Sequence, residues 1–235
     1  IKFFGAGVDK IEAEIKRLFP KARIRKIDAK SLKNKGEYMK LYEDLQSGKI
    51  DILIGTQILA KGLNIGTVDL VGVISADVGL HLPHFRASEK TFSLLTQVSG
   101  RSGRKDNVGG TIIQTYWPQS SAIKFAAEHN YQDFYKEEIK EREKFNYPPF
   151  CHLVRVISED KNKQKARDNI FAVAQKLLHN KIDHIGPGPC FLNKINNKFR
   201  YHLIIKTNKL PDPKITEIFK TNPYLVWDVD PVDLL

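Results

Sequence analysis

Two stretches of this chain combine residue types and spacings that suit phosphate chemistry. The first is Gln97-Val98-Ser99-Gly100-Arg101-Ser102-Gly103-Arg104. Arg101 and Arg104 stand three residues apart, separated by a small residue and a glycine, so two guanidinium groups reach one anion while the glycines let backbone approach closely. A triphosphate is the natural target. An arginine brought to a γ-phosphate from a neighbouring domain neutralises charge that develops in the transition state. A lone Arg-x-Gly-Arg also suits a solvated, glycine-capped helix end. The leading Gln97 and both glycines in register favour the phosphate.

The second stretch runs from Asp51 to Ile65, where the apolar Ile52-Leu53-Ile54 empties into Gly55-Thr56-Gln57-Ile58-Leu59-Ala60-Lys61-Gly62-Leu63-Asn64. Parallel sheets bind ligands in loops at the carboxyl ends of their strands, which places Thr56, Gln57, Lys61 and Gly62 to meet one. A hydroxyl and free amides suit a DNA phosphate, and Lys61 and Asn64 suit phosphate or nucleotide. Taken alone, the segment is an ordinary strand-to-helix turn. The arginine motif that follows on the same sheet favours the ligand.

The elements that must hold these groups follow from periodicity. Helices are expected over 8–19, 38–46, 89–99 and 120–129, with strands over 22–27, 51–55, 70–75 and 110–116. Runs that are apolar on successive residues, such as Leu70-Val71-Gly72-Val73-Ile74, suit strands covered on both faces by helices. A charged helix over 131–145 ends at Asn146-Tyr147-Pro148-Pro149, because the residue before a proline is pushed out of the helical region. Beyond it the order is strand 151–158, helix 161–179, strands 190–195 and 200–206, helix 213–220 and strand 225–229: a βαββαβ string. The expected organisation is therefore an α/β lobe over 1–130, a connecting helix and Pro-Pro linker over 131–150, and an α+β domain over 151–235.

The formal net charge of +11 favours a polyanionic partner, although a Lys- and Asn-rich composition alone would raise it. No run approaches the length of a membrane span and no leader pattern opens the chain, so no membrane partner is expected. Cys151 and Cys190 lie too far apart for a zinc or redox pair and read as buried thiols, which suits a reducing cytoplasm. His152, His179, His184 and His202 show no metal spacing and read as core or surface residues. No metal site is expected in this chain. It opens at Ile1 without Met, which reads as an excised fragment.

The two phosphate-directed stretches resemble motifs V and VI of superfamily 2 helicases. Leu82-Pro83-His84-Phe85-Arg86-Ala87-Ser88-Glu89-Lys90, Tyr147-Pro148-Pro149-Phe150, Gly186-Pro187-Gly188-Pro189, Arg200-Tyr201 and Asp228-Val229-Asp230-Pro231 are similar to the primosomal protein N-prime (PriA) family, and the similarity runs the length of the chain. Leu63 and Gly66 depart from that family's motif V, where His and Pro are usual. The resemblance implies a RecA-like, P-loop NTPase-type second helicase lobe followed by the α+β domain. It further implies that Arg101 and Arg104 contact ATP phosphates across the interlobe cleft, with Gln97 coupling the lobes and Gly62 and Asn64 lining the same cleft. Thr56 and Gln57 would lie near DNA. ATP and magnesium would be shared with another lobe, and zinc would belong to the parent protein, whose zinc ligands are absent here.

For the last domain, Lys194, Lys198 and Arg200 interleave with Phe199, Tyr201 and His202 around an expected hairpin. That pattern suits base stacking with phosphate contacts; a solvated hairpin tip with core aromatics fits it equally. The resemblance points to DNA. It implies an ATP-dependent helicase that recognises stalled or branched forks, unwinds 3′ to 5′, and starts primosome assembly with single-strand-binding protein and primosome loaders, in the bacterial cytoplasm at the nucleoid. The sequence holds no Gly-x-x-x-x-Gly-Lys-Ser/Thr and no Asp-Glu-x-His, so this chain by itself is expected to hydrolyse no ATP. Two other readings stay open: a lobe of another superfamily 2 translocase, or a non-catalytic fragment that binds DNA or primosome proteins.

Overall fold

The computed structural model describes residues 7–27, 35–56, 68–100 and 110–234. The chain divides into two compact units, residues 1–82 with 87–134 and residues 83–86 with 135–235.

The first unit opens with α1 (Val8–Leu18), β1 (Ile24–Ile27), α2 (Lys35–Gln46) and β2 (Ile52–Gly55). β1 and β2 pair in parallel from Ile24 opposite Ile52 to Ile27 opposite Gly55. Ile27 and Leu41 form the centre of a small core flanked by Leu45, Ile50 and Leu53. Arg23 clamps the entry to both strands: its backbone N–H and Nε donate to Asp51 Oδ2 at 2.7 and 2.9 Å. That fork holds the Asp51 carboxyl well below the usual carboxylate range.

Next come β3 (Leu70–Val73), α3 (Asp77–Leu80), α4 (Ala87–Ser99), β4 (Gly110–Ile113), α5 (Ser121–Ala127) and the first turn of α6 (Tyr131–Lys144). β3 and β4 are also parallel, Leu70 opposite Gly110 through Val73 opposite Ile113. Phe92, Leu95, Ile123, Phe125 and Phe134 form the core beneath them, with Val73 and Ile113 packed on it. The rings of Phe92 and Phe134 stack with centroids 4.2 Å apart. Gly79 lets α3 lie against α4, since a Cβ there would stand 2.5 Å from Thr91 Oγ1.

The apolar run of β3 predicts cover on both faces, and here the structure differs. Leu70 and Ile112 are exposed, so among the described residues helices cover one face of the β3–β4 pair. β4 also ends earlier than its apolar pattern, because Thr115 and Tyr116 turn their polar groups toward Asp77. The four-residue α3 has no period long enough to announce it.

The second unit contains β5 (His152–Asp160), α7 (Lys163–His179), β6 (His184–Ile195), β7 (Lys198–Thr207), α8 (Pro213–Lys220) and β8 (Val226–Val229). The βαββαβ order is as expected, and it closes into one antiparallel sheet in the order β6-β7-β5-β8. Both helices start on side-chain caps. Asn162 Oδ1 accepts from the amides of Gln164 and Lys165 at 2.9 and 3.2 Å, and Asp212 Oδ1 does the same for Lys214 and Ile215, with Pro213 in the first turn.

One sheet face packs Val154, Val156, Leu203 and Ile205 against Ile170, Val173 and Leu177 of α7 and Ile215 and Ile218 of α8. Each such fully buried aliphatic side chain contributes about 1.5–3 kcal/mol. Cys151, Leu153, Ile204 and Leu234 form a second cluster with Phe85 and Tyr147. Phe85 stacks on Tyr147 with centroids 5.5 Å apart, and the Arg142 guanidinium lies 5.4 Å from the Phe85 ring. Pro83–Arg86 thus belongs to this unit although it precedes α4 in sequence.

The composition of Gly186-Pro187-Gly188-Pro189 reads as a stiff turn, and the structure makes the stretch part of a strand instead. It lies inside β6, where the register with β7 shifts between Ile185 and Gly188 and again between Pro189 and Lys194. β6 is an edge strand, the place in a sheet that tolerates residues without an N–H.

Candidate nucleic-acid interface

In the first unit, Thr56 is the first residue beyond β2 and is exposed at the carboxyl end of a parallel strand. Gln97 is exposed on the last turn of α4, which turns Thr91, Phe92 and Leu95 inward. The helix closes at Gly100, whose amide donates to Thr96 O at 3.1 Å. Gln57, Lys61, Gly62 and Asn64, and likewise Arg101 and Arg104, lie outside the described residues.

A group missed by sequence reading marks the carboxyl end of β4. Asp77 is buried at 7% exposure and accepts from Thr115 Oγ1 at 2.7 Å and from the Tyr116 amide at 3.1 Å. Those bonds, the Thr115 hydroxyl first, hold its carboxyl below the ordinary carboxylate value. The Trp117 amide donates to Thr115 Oγ1 at 2.9 Å, completing a fixed turn that leaves the rings of Tyr116 and Trp117 exposed.

In the second unit the hairpin joining β6 and β7 turns on Asn196 and Asn197. Their φ values of 49° and 62° belong to a two-residue turn that matches strand twist. Strand alternation then divides the predicted basic residues between two faces. Lys194 and Phe199 are cross-strand partners with Lys194 Nζ 4.8 Å from the ring centre, and Tyr201 follows two residues on along the same face. Arg200 points the other way, where its Nε donates to Glu159 Oε1 at 2.9 Å; Lys198 shares that side. So the structure sets Lys194 and Tyr201 on one face of the sheet and Arg200 and Lys198 on the other.

Beside Tyr201 lies a groove of about 610 Å³ between α7 and the Pro187–Pro189 stretch of β6. Lys163, Arg167 and Phe171 line its helical wall at successive turns of α7, and the Arg167 guanidinium lies 5.0 Å from the Phe171 ring centre. No carboxylate lines it among the described residues. Two acids of the same region have partners of their own: Asp168 accepts at 2.8 Å from Nε2 of Gln164, itself a lining residue, and Asp160 pairs with Lys165 at 3.4 Å. The every-fourth-residue spacing of Lys163, Arg167 and Phe171 was visible in the sequence; their apposition to β6 was not.

Three of the histidines have ring nitrogens at hydrogen-bond distance from a partner. His152 Nδ1 is 2.9 Å from Asp230, His184 Nδ1 is 3.1 Å from Ile182 O, and His202 Nδ1 accepts from Arg155 Nε at 3.2 Å. Both thiols are buried, and among the described residues no three His, Cys, Asp or Glu side chains gather as a metal site. No described helix is long and apolar enough to cross a membrane.

Comparison with known proteins adds an independent finding. The helicase conserved C-terminal domain matches residues 3–106, and the primosomal protein N C-terminal domain matches residues 143–232. The replication restart protein PriA of Bacillus subtilis (strain 168) is 41% identical over 88% of this chain and 26% of its own length. Its counterparts in Synechocystis sp. and Treponema pallidum are each 36% identical over 100% of the chain, covering 29% and 37% of their lengths. The chain belongs to the PriA family. It spans between about a quarter and about two fifths of the length of these PriA relatives. The helicase match contains Thr56 and Gln97, and the primosomal match contains the hairpin and the groove, so the two candidate surfaces of this PriA-family chain fall in different domains.

Proposed function

We propose that this chain is the second motor lobe and the C-terminal DNA-handling domain of an ATP-dependent DNA helicase. The complete protein recognises stalled or branched replication forks, unwinds 3′ to 5′ and starts primosome assembly together with single-strand-binding protein and primosome loaders, in the bacterial cytoplasm. The observation that carries this reading is the occurrence, in one chain, of a helicase C-terminal match over 3–106 and a primosomal match over 143–232. Arg101 and Arg104 hold the ATP phosphates and Gln97 couples the lobes. Gly62 and Asn64 line the nucleotide cleft, and Thr56, Gln57 and Lys61 meet the DNA strand. In the second domain Lys194, Lys198, Arg200 and Tyr201 supply DNA contacts. ATP and magnesium would provide the phosphoryl chemistry; the chain's own part is to stabilise charge that develops on the phosphates.

The test is fork-stimulated ATP hydrolysis by the full-length parent carrying Arg101→Ala or Arg104→Ala, scored beside DNA affinity. Hydrolysis should fall by about 10³-fold or more while DNA affinity is nearly kept. Unchanged hydrolysis with weakened DNA binding would assign the arginines to the DNA track instead. The 235-residue chain alone should bind DNA and hydrolyse no ATP.

A further inference from the structure

The DNA contact of the second unit was expected at the hairpin tip, but the geometry offers a better-built place. We propose that the groove between α7 and β6–β7 binds single-stranded DNA, with bases stacked against Phe171 and Tyr201 and phosphates held by Lys163 and Arg167. The proposal rests on the reading that this chain handles DNA.

Four observations carry it. Among the described residues the groove is lined by two cations and no carboxylate, complementary to a phosphodiester chain. It holds two aromatic rings, and a stacked base needs only a π-face, so the site suits any sequence. Arg167 already lies over Phe171 at 5.0 Å, and Lys194 over Phe199 at 4.8 Å on the same sheet face. Each pair therefore presents a ring for a base beside a cation for a phosphate. Finally, the edge strand that forms the opposite wall has Pro187 and Pro189 at the groove, so at those two positions it lacks the N–H through which an added peptide strand would pair.

The α7 N-terminus is not itself the anchor. The amides of Gln164 and Lys165 are both taken by Asn162 Oδ1, which leaves the phosphate contacts to side chains. Duplex DNA keeps its base faces stacked inside and offers none of them to Phe171 or Tyr201. Single strands do.

The experiment uses the full 235-residue chain and a fluorescein-labelled oligothymidylate of about fifteen nucleotides, titrated at several salt concentrations, with a duplex of equal length in parallel. Lys163→Glu with Arg167→Glu should weaken oligothymidylate binding by at least about tenfold. Two lost phosphate contacts should also flatten the slope of log K against log salt by about 1.4. Phe171→Leu, which keeps an apolar side chain on the helix and so preserves the fold, should weaken single-strand binding by at least about fivefold and leave duplex binding unchanged. Lys209→Ala, two residues beyond the end of β7, should match the parent chain within about twofold. Oligothymidylate binding untouched by the groove variants overturns the proposal while DNA handling stands. Absence of salt-sensitive DNA binding by the unmodified chain overturns both. Equal losses for duplex and single strand in Phe171→Leu overturn the single-strand assignment.

Discussion

Arg155 Nε donates to His202 Nδ1 at 3.2 Å between the paired strands β5 and β7, and Arg155 is 3% exposed. The side chains are diagonal neighbours on one sheet face, and Arg155 also donates to Asp233 O at 3.2 Å, tying the tail to the sheet. An imidazole that accepts from a guanidinium must stay neutral at that nitrogen. Burial first, then the charges of Arg155 and Arg200, push the His202 pKa from 6.5 down to about 4.

Stability should therefore depend on pH through His202. Between about pH 6.5 and about pH 4 the unfolded chain binds a proton that the folded chain refuses, so stability falls as pH drops through that window. It is fully present above the unfolded value. The slope from this residue is at most about 1.4 kcal/mol per pH unit. Urea unfolding at about pH 7 and about pH 5 should show a smaller loss in His202→Asn, which keeps an acceptor and cannot titrate, than in the parent chain. Parallel losses in both proteins would place the acid sensitivity elsewhere.

Asp77 pins the turn after β4. Asp77→Ala leaves the Thr115 hydroxyl and the Tyr116 amide without their acceptor and should cost about 2 kcal/mol, read as a fall in urea midpoint at unchanged slope. Because the folded carboxyl sits below its ordinary value of 3.8, this contribution is present above that pH and is lost as pH falls through the folded value. An Asp77→Ala chain with the parent's midpoint would show that the turn holds itself.

Burial pushes the thiols of both Cys151 and Cys190 up from their ordinary value, and Cys151 Sγ donates to Asn146 O at 3.0 Å. Thiolate, not thiol, is the nucleophile. Both should react with a thiol-specific disulfide reagent at about pH 7.5 only as fast as the chain opens, and rapidly in denaturant. Prompt labelling of either in the native chain would contradict this.

Gly186 carries φ +97°, and a Cβ there would meet His202 O at 3.2 Å and Leu203 Cα at 3.3 Å, both backbone atoms that cannot rotate away. Gly186→Ala should destabilise by about 1–3 kcal/mol, visible as a lower melting temperature. A variant that melts with the parent chain would mean that β6 relaxes at its edge.

What the sequence determined by itself is local. Helical and alternating periodicities place α7, α8 and the strands β5, β7 and β8 within a few residues, whereas the capping roles of Asn162 and Asp212 emerge only in the structure. The alternation of β7 already separates Phe199 and Tyr201 from Lys198 and Arg200. Such signals are legible because each depends on residues a few positions apart. Tertiary structure decided what stands beside what. Sheet order sets β6 at an edge next to the Lys163, Arg167 and Phe171 stripe, Glu159 takes Arg200 across forty-one positions, and Pro83–Arg86 joins Tyr147 in a core far along the chain. Those choices are made by long-range pairing and by the need to bury both faces of a sheet, and no local pattern encodes them.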